Sequence, residues 1–138
     1  MRLWHEALIP YLPRQQLLGL HREVCALRGL GWGKPHSVVN YVFDHPYGWL
    51  VAYHFNVMEE MEIRGYKVDP LWKRCGYRGK SKEKLPLDEA RKVHLKVSEI
   101  YSLQGQTFKY IYPEHNSAYL QECLENLTGK GIHIDMGE

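Results

Sequence analysis

The chain has 138 residues and a mass of 16.3 kDa, with 44% hydrophobic residues, 25% charged residues and a formal net charge of +2. These values are typical of a soluble globular protein, and the length predicts one domain over residues 1–138. No apolar run approaches the roughly 20 residues that cross a bilayer, and the first residues lack the apolar core of a signal peptide. A membrane protein and a secreted protein are therefore not expected.

The cysteines indicate the redox compartment. Cys25, Cys75 and Cys123 are odd in number, far apart in the chain and in no CxxC pair. This pattern argues against a disulfide framework and is typical of proteins in a reducing environment. The sequence therefore predicts a cytoplasmic protein.

The first predicted helix has Pro13 in its first turn and runs to about Leu27. Its apolar residues recur at steps of three and four and form one stripe: Leu17, Leu20, Val24 and Leu27. Residues 28–36, with the sequence RGLGWGKPH, predict a loop because of their glycine and proline content. Residues 37–45 fit either a strand or a helix, and Pro46 ends that segment.

Two longer helices follow. Residues 47–64 predict a largely buried helix, for which Gly65 is a suitable stop. A further helix is predicted to open at Pro86 and Leu87, because the apolar residues after it keep helical spacing. That stripe consists of Leu87, Ala90, Val93, Val97, Ile100 and Tyr101.

The C-terminal part predicts one more helix between two irregular segments. Residues 104–117 read as a loop or a short extended segment. The helix is expected over residues 118–127, with Asn116 or Ser117 as its cap and Gly129 at its end. The tail from about residue 129 is expected to be loosely ordered. Because convincing period-two alternation is nearly absent, the fold class is mainly α: a small orthogonal bundle of about four helices with long loops.

Residues 64–84 form a locally basic segment. They hold eight Lys or Arg residues against Asp69 and Glu83, together with three aromatic residues, Tyr66, Trp72 and Tyr77. Such a segment suits phosphate contact combined with base stacking. A solvated, flexible loop explains the same composition, and the sequence leaves both interpretations open.

Residues 19–36, GLHREVCALRGLGWGKPH, raise the possibility of a metal site. His21 and Cys25 lie four residues apart and would share a helix face. A zinc site needs recognisable ligand spacings such as CxxC or HExxH, and neither occurs. We therefore expect no metal and no cofactor. The weaker alternative is a metal-dependent hydrolase that uses His21, Cys25 and other histidines, among which are His5, His36, His45 and His54.

The glycines of the same stretch raise the possibility of a phosphate-binding loop. Residues 29–36, GLGWGKPH, match neither GxGxxG nor GxxxxGK[ST], so a nucleotide site is not expected. Glycines beside Arg28 and Lys34 could still bring backbone amides to a DNA phosphate. A tight connection between helices is an equally good interpretation.

Glu23 is the candidate catalytic residue of the first helix. On a helical wheel Glu23 falls on the flank of the apolar stripe, while Arg22 points almost opposite to it. A carboxylate at the edge of an apolar face is partly removed from water, which suits a residue that exchanges protons. A solvated helix flank in a protein-interaction domain would show the same pattern.

Four segments together resemble a known family. The helix Gln15–Glu23, the start Met1–His5, the stretch Met58–Tyr66 and the aromatic-basic cluster Phe108–Tyr112 are similar to segments of the pyrimidine-dimer DNA glycosylase/AP lyase (endonuclease V) family. The resemblance covers about the first 70 residues, with patches beyond them. It implies an endonuclease V-like helical fold.

The resemblance implies a bifunctional reaction on damaged DNA. The α-amine of the N-terminal residue attacks the sugar C1′, displaces the base and forms a Schiff base. The helix glutamate, here Glu23, assists the imine chemistry and the β-elimination that cuts the strand. An α-amine has a reference pKa of about 7.7–8.0, so a useful fraction is neutral near pH 7. The implied partner is double-stranded DNA with damaged or abasic nucleotides, pyrimidine dimers included, and no cofactor is needed.

The chain departs from the phage enzyme at its terminus. The phage nucleophile is a threonine exposed by removal of the initiator methionine, whereas the bulk of Arg2 here predicts that Met1 is retained as the terminal residue and nucleophile. A second helix arginine of the phage enzyme falls on Ala26, with Arg28 as the nearest substitute. The expected DNA-binding residues are Arg2, Arg14, Arg22, Arg28, Lys34, Lys109 and Tyr110. A non-catalytic nucleic-acid-binding module on the same fold is the alternative, and the sequence leaves the oligomeric state undetermined.

Overall fold

A computed structural model of the chain describes residues 3–30, 42, 44–80, 83–107 and 110–136, apart from the side chains of residues 30 and 103–107. Helices dominate and no strand occurs in these ranges, so the predicted mainly α class is confirmed. None of the described helices is long and apolar enough to cross a membrane. In chain order the elements are a first 3-10 helix (Glu6–Tyr11), α1 (Arg14–Leu30), α2 (Tyr47–Ile63), a second 3-10 helix (Pro70–Lys73), α3 (Leu87–Thr107) and α4 (Ser117–Gly129).

Helix α1 begins directly after Pro13, whose carbonyl oxygen accepts a hydrogen bond from Leu17 N at 2.9 Å. The predicted apolar stripe is buried along its whole length: Leu17, Leu20, Val24 and Leu27. The helix continues about one turn beyond the predicted end, to Leu30. The 3-10 helix in front of α1 was not predicted, because six residues that include Pro10 are too short for a periodic signal.

Helix α2 forms the centre of the bundle and packs against α1, α3 and the first 3-10 helix. At its start, a Cβ atom added to Gly48 would lie 2.9 Å from Lys96 Cβ, so the absence of a side chain allows α3 to approach closely. At its end Gly65 adopts a φ of 84°, and Tyr66 N donates to Met61 O at 2.9 Å. The predicted glycine stop is therefore confirmed.

Helix α3 starts at the predicted residue, Leu87, but continues to Thr107. The prediction of a loop from residue 104 was therefore wrong for residues 104–107. Gln is a good helix former, and one internal Gly costs only about 1 kcal/mol, so this polar stretch extends a helix that has already formed.

Helix α4 matches its prediction closely. Asn116 is the cap, and its side-chain oxygen accepts a hydrogen bond from Tyr119 N at 2.9 Å. The tail that follows was expected to be loosely ordered, whereas Ile132, Ile134 and Met136 pack against the hydrophobic core. The apolar residues alternate with polar ones, so one face of this segment can be buried. The prediction considered only that the segment is at the C-terminus and missed this alternation.

Among the residues that the structure describes, three histidines are buried in the core region. His5, His54 and His115 are 1%, 0% and 2% exposed, and the rings of His5 and His115 stack with their centroids 5.1 Å apart. Nδ1 of His115 accepts from Glu6 N, and Nδ1 of His5 accepts from Ala7 N, each at 3.0 Å. Burial lowers the pKa of all three rings, and lowers that of His115 to about 3.

These shifts predict a loss of stability in acid. Unfolded histidines bind a proton below about pH 6.5, whereas the folded His115 stays neutral until about pH 3. The free energy of unfolding is therefore highest above about pH 6.5 and should fall by up to about 1.4 kcal/mol per pH unit per buried histidine below it. Urea unfolding between pH 8 and pH 4 measures this slope. A His115→Asn variant should give a shallower slope, and an equal slope in both proteins would contradict the assignment.

Candidate functional site

A cleft of about 550 Å³ lies between α1 and α4, a volume within the range of small-molecule sites. Polar and aromatic side chains from both helices face it, and one wall carries the side chain of Glu23. The lining residues are Trp4, Gln16, Gly19, Leu20, Glu23, Tyr119, Glu122, Cys123, Asn126 and Lys130.

The helical repeat of α1 explains how Glu23 reaches the cleft. Gln16, Gly19 and Glu23 are separated by three and four residues, so they lie on one face of the helix. That face adjoins the buried stripe, which fixes the rotation of α1 against the core. Glu23 is accordingly half-buried, on the flank of the stripe, where the sequence placed it.

Arg22 precedes Glu23 on α1 and lies beside Gly19, one of the residues that line the cleft. The residue is exposed, and one of its terminal nitrogens, Nη2, would lie 3.9 Å from a Cβ atom added to Gly19. Its guanidinium therefore extends back along α1 to a residue that lines the cleft. An exposed cation beside a half-buried carboxylate suits contact with a phosphate next to a reacting sugar.

The N-terminal segment is anchored beside the cleft by hydrogen bonds from three parts of the chain. The hydroxyl of Tyr119 on α4 donates to the carbonyl oxygen of Leu3, and the hydroxyl of Tyr53 on α2 donates to that of Trp4 at 2.5 Å. Glu6 accepts a hydrogen bond from Ile111 N at 2.9 Å through its side chain. The first described residues are therefore held in place, whereas the predicted nucleophile Met1 and its neighbour Arg2 lie outside the described residues.

Arg28 was expected to contact DNA, but its side chain is fully buried. Its guanidinium donates to three backbone oxygens of the basic segment: Trp72 O at 2.6 Å, Arg74 O at 2.8 Å and Tyr77 O at 3.1 Å. The Trp72 ring lies over it, with the guanidinium carbon 5.1 Å from the ring centroid. Arg28 is therefore used to hold the protein's own backbone, and we exclude it from the DNA-contacting residues.

His21, Cys25 and His54 bring together three side chains of metal-binding type, whose ligand atoms lie within 4.8 Å of one another. His54 Nε2 lies 2.9 Å from His21 Nδ1 and 3.8 Å from Cys25 Sγ. Sequence alone paired His21 with Cys25 but missed His54, which reaches them from α2. Two imidazoles and one thiol are ligands that zinc accepts, so this cluster is the candidate metal site of the described residues.

Arg28 favours a hydrogen-bonded arrangement of this cluster over a metal site. Its Nη1 atom lies 3.0 Å from Nδ1 of His54, and a guanidinium can only donate. The proton of the neutral His54 ring is therefore on Nε2, from which it donates to His21. A metal ion bound at Nε2 of His54 would have to replace this proton, and its positive charge would lie close to that of the Arg28 guanidinium, which is unfavourable. Burial also raises the pKa of the Cys25 thiol to about 11, which disfavours the thiolate that metals bind.

The other predicted DNA-binding residues are dispersed. Arg14 is exposed, and its guanidinium carbon lies 5.4 Å from the centroid of the Tyr66 ring. Tyr110 is 45% exposed, and its ring makes an edge contact with His5 at 4.8 Å. Lys34 and Lys109 lie outside the described residues. Of the predicted DNA-binding residues, the described structure shows only Arg22 beside a residue that lines the cleft.

The described part of the basic segment, residues 64–80 and 83–84, makes contacts within the fold. The rings of Trp72 and Tyr77 meet edge to face at 4.7 Å, Lys73 pairs with Glu62 at 2.7 Å, and Arg78 donates to Gly29 O at 3.0 Å. The aromatic side chains that suggested base stacking are used within the fold. Backbone oxygens of Trp72, Arg74 and Tyr77 in this segment surround the buried guanidinium of Arg28.

The α4 wall of the cleft was missed by sequence reasoning. Tyr119, Glu122, Cys123, Asn126 and Lys130 follow one another at steps of three, one, three and four residues. This spacing places them on one face of the helix that the sequence had predicted. A helical wheel of α4 could have shown this mixed polar and aromatic face, but it could not have shown that the face meets Glu23.

Comparison with known proteins gives one match. Residues 1–74, just over half of the chain, match the model of a family described as pyrimidine dimer DNA glycosylase. A comparison with curated proteins finds no match, and a comparison with solved structures finds none. The matched residues include Trp4 and the α1 wall of the cleft, whereas α3 and α4 lie beyond them.

Proposed function

The chain belongs to the pyrimidine dimer DNA glycosylase family, and from this premise we propose that it is a DNA-repair glycosylase with AP-lyase activity. Its substrate is double-stranded DNA with a damaged or abasic nucleotide. The α-amine of Met1 forms the Schiff base and Glu23 is the acid and base. The proposal rests on one observation: Glu23 lines a cleft that is also lined by Trp4, in the anchored N-terminal segment.

Covalent geometry supports the pairing of Met1 with this cleft. A chain spans at most about 3.6 Å per residue, so the amine of Met1 lies within about 7 Å of the nitrogen of Leu3. The carbonyl oxygen of Leu3 accepts from Tyr119, and Tyr119 lines the cleft. This contact supports our proposal that the amine reaches a sugar bound against the wall that carries Glu23.

The first step replaces the glycosidic bond at C1′ of the sugar by a bond from C1′ to the amine. The lone pair of the amine forms a bond to C1′, and the glycosidic bond breaks with its electron pair leaving on the base, which takes up a proton. The amine then loses a proton as the bond from C1′ to the ring oxygen opens, which gives the Schiff base. An α-amine suits this step because its reference pKa is far below that of Lys.

The second step cuts the strand and needs a base near the sugar. Removal of a C2′ proton turns the imine into an enamine, with a C1′–C2′ double bond and the former imine electron pair on nitrogen. When that pair restores the C1′–N double bond, the C1′–C2′ pair forms a C2′–C3′ double bond and the C3′–O bond breaks, with its electron pair leaving on the phosphate. Water then hydrolyses the imine and releases the amine. Glu23 can accept the C2′ proton and later return a proton, because its carboxylate gains and loses protons while the side chain stays in place. A half-buried carboxylate is also shielded on one side from bulk water.

DNA contact is proposed for the predicted residues other than Arg28. Among the described residues, Arg22 lies beside Gly19 of the cleft wall, and Arg14 and Tyr110 are exposed elsewhere on the surface. Arg2, Lys34 and Lys109 are retained as further contacts on the basis of the sequence. Contacts of this kind bind phosphates irrespective of sequence, so affinity should fall steeply with salt. The three free cysteines fit a cytoplasmic location.

Cleavage of defined duplexes tests the proposed function. A duplex with one abasic site, a duplex with one pyrimidine dimer and an undamaged duplex are incubated with untagged protein. We expect strand cleavage at the abasic site, since that substrate needs only the lyase step, and no cleavage of undamaged DNA. Cleavage at the dimer would extend the activity to the glycosylase step. Salt-dependent binding without cleavage of either damaged duplex would contradict the enzyme and favour the non-catalytic binding module.

A further inference from the structure

Two tyrosine hydroxyls hold consecutive carbonyl oxygens at the start of the chain. Tyr119 donates to Leu3 O, and Tyr53 donates to Trp4 O at 2.5 Å. Both tyrosines are buried, at 8% and 0% exposed, and Leu3 is fully buried. They come from helices on different sides of the segment, α4 and α2, so each fixes it from a separate direction.

Further contacts from the C-terminal part hold the same segment. His115 Nδ1 accepts from Glu6 N at 3.0 Å, and Ile111 N donates to the Glu6 side chain at 2.9 Å. His115 also stacks on His5. Residues 110–119 thus hold several backbone and side-chain positions between Leu3 and Glu6, although they lie beyond the span that matches the family.

The anchored carbonyls lie next to the reacting region. Trp4 and Tyr119 line the same cleft as Glu23, and only two residues separate Leu3 from the N-terminal amine. An amine at the end of a free chain would sample a wide volume, and misplacement by about 1 Å can cost about 100-fold in rate. Fixed carbonyl oxygens at residues 3 and 4 restrict that volume before DNA binds.

We infer that Tyr53 and Tyr119 are positioning residues, which orient the N-terminal amine towards the Glu23 cleft by holding the carbonyl oxygens of Leu3 and Trp4. The inference rests on the proposed function for its catalytic consequence, whereas the anchoring itself does not depend on it. It assigns a task in the reaction to the C-terminal helix α4. That helix thereby completes a site whose other wall belongs to the family-matched part of the chain.

Phenylalanine substitutions test the inference, because they remove a hydroxyl and keep the ring that packs in the core. The variants are Tyr53→Phe and Tyr119→Phe, with Tyr77→Phe as the matched control, since Tyr77 lies in the basic segment against Trp72. Two quantities are measured for each. One is the rate at which pyridine-2-carboxaldehyde labels the N-terminal amine without DNA. The other is the single-turnover rate of borohydride trapping on an abasic duplex.

We expect Tyr53→Phe and Tyr119→Phe to label several-fold faster than wild type and to trap about 10- to 100-fold more slowly, with unchanged affinity for the abasic duplex. Tyr77→Phe should match wild type in both. Three outcomes for Tyr53→Phe and Tyr119→Phe would each overturn the inference. These are an unchanged labelling rate, an unchanged trapping rate, or a loss of affinity for the duplex as large as the loss of trapping rate. If wild type itself does not trap, the proposed function fails, and the labelling rates alone decide whether the anchoring stands. Thermal unfolding of each variant identifies any that does not fold, in which case the other tyrosine variant provides the test.

Discussion

Replacing Glu23 by Gln is expected to lower the rate of strand cleavage by about 10²- to 10⁴-fold, the contribution that general acid–base catalysis by one side chain typically makes. Glutamine keeps the shape of the side chain but cannot accept a proton from the sugar. Glu23 is half-buried on the wall of the cleft, outside the buried stripe of α1. The variant should therefore fold and bind DNA as the wild type does. Single-turnover cleavage of an abasic duplex measures the effect.

Glu125 provides the matched control for this experiment. It is an exposed glutamate on α4, outside the set of residues that line the cleft. The Glu125→Gln variant makes the same change of charge in a helix of the same domain, and its cleavage rate should equal that of wild type. If the Glu23→Gln variant cleaves at the rate of the control, Glu23 has no role as acid or base.

Replacing Arg28 by Met should have a large effect on stability, a loss of about 3–5 kcal/mol in the free energy of unfolding, because it leaves buried hydrogen-bond acceptors without a donor. The substitution removes the donor of three hydrogen bonds to Trp72 O, Arg74 O and Tyr77 O. Each buried acceptor left without a partner costs about 1–3 kcal/mol. Nδ1 of His54 loses its donor as well. Since whole domains are stable by only about 5–15 kcal/mol, urea unfolding will show a large shift of the midpoint.

Arg22 on the same helix is the control for Arg28. Arg22 is exposed, whereas Arg28 is fully buried. Arg22→Met should change the free energy of unfolding by no more than about 0.5 kcal/mol, while it weakens DNA binding. An Arg28→Met variant as stable as Arg22→Met would show that Arg28 does not hold the basic segment. Arg28→Lys should lie between the two, because one ammonium cannot serve three carbonyl oxygens as a planar guanidinium does.

Periodicity explains why much of the helical fold could be predicted. The stripe of Leu17, Leu20, Val24 and Leu27 is a local signal, and the same residues are the buried ones. Glycine and asparagine at helix ends are local signals too, and Gly65 and Asn116 act as expected. The first 3-10 helix and the extension of α3 to Thr107 depend on tertiary contacts or on weak helix propensities. Neither produces a periodic pattern of apolar residues.

The two arginines of α1 show where site prediction from sequence reaches its limit. Arg22 and Arg28 have the same chemistry, but the sequence placed Arg22 on a helix, away from the core, and Arg28 in the loop that was predicted to follow. The burial of Arg28 arises from the basic segment, about 45 residues later in the chain, whose backbone oxygens converge on it. Contacts between residues so far apart in the chain produce no recognisable spacing pattern in a single sequence. The same holds for His54 beside His21 and for α4 opposite Glu23.

The location of a trapped adduct tests the central claim most directly. Protein is incubated with an abasic duplex and borohydride, the DNA is digested, and the modified peptide is identified by mass spectrometry. The α-amine competes here with the side chain of Lys130, which lines the cleft that contains Glu23. We predict an adduct on the amine of Met1, lost when that amine is acetylated and retained in the Lys130→Arg variant. An adduct on Lys130, or trapping that survives acetylation of Met1, would contradict the assignment of the N-terminal amine as the nucleophile.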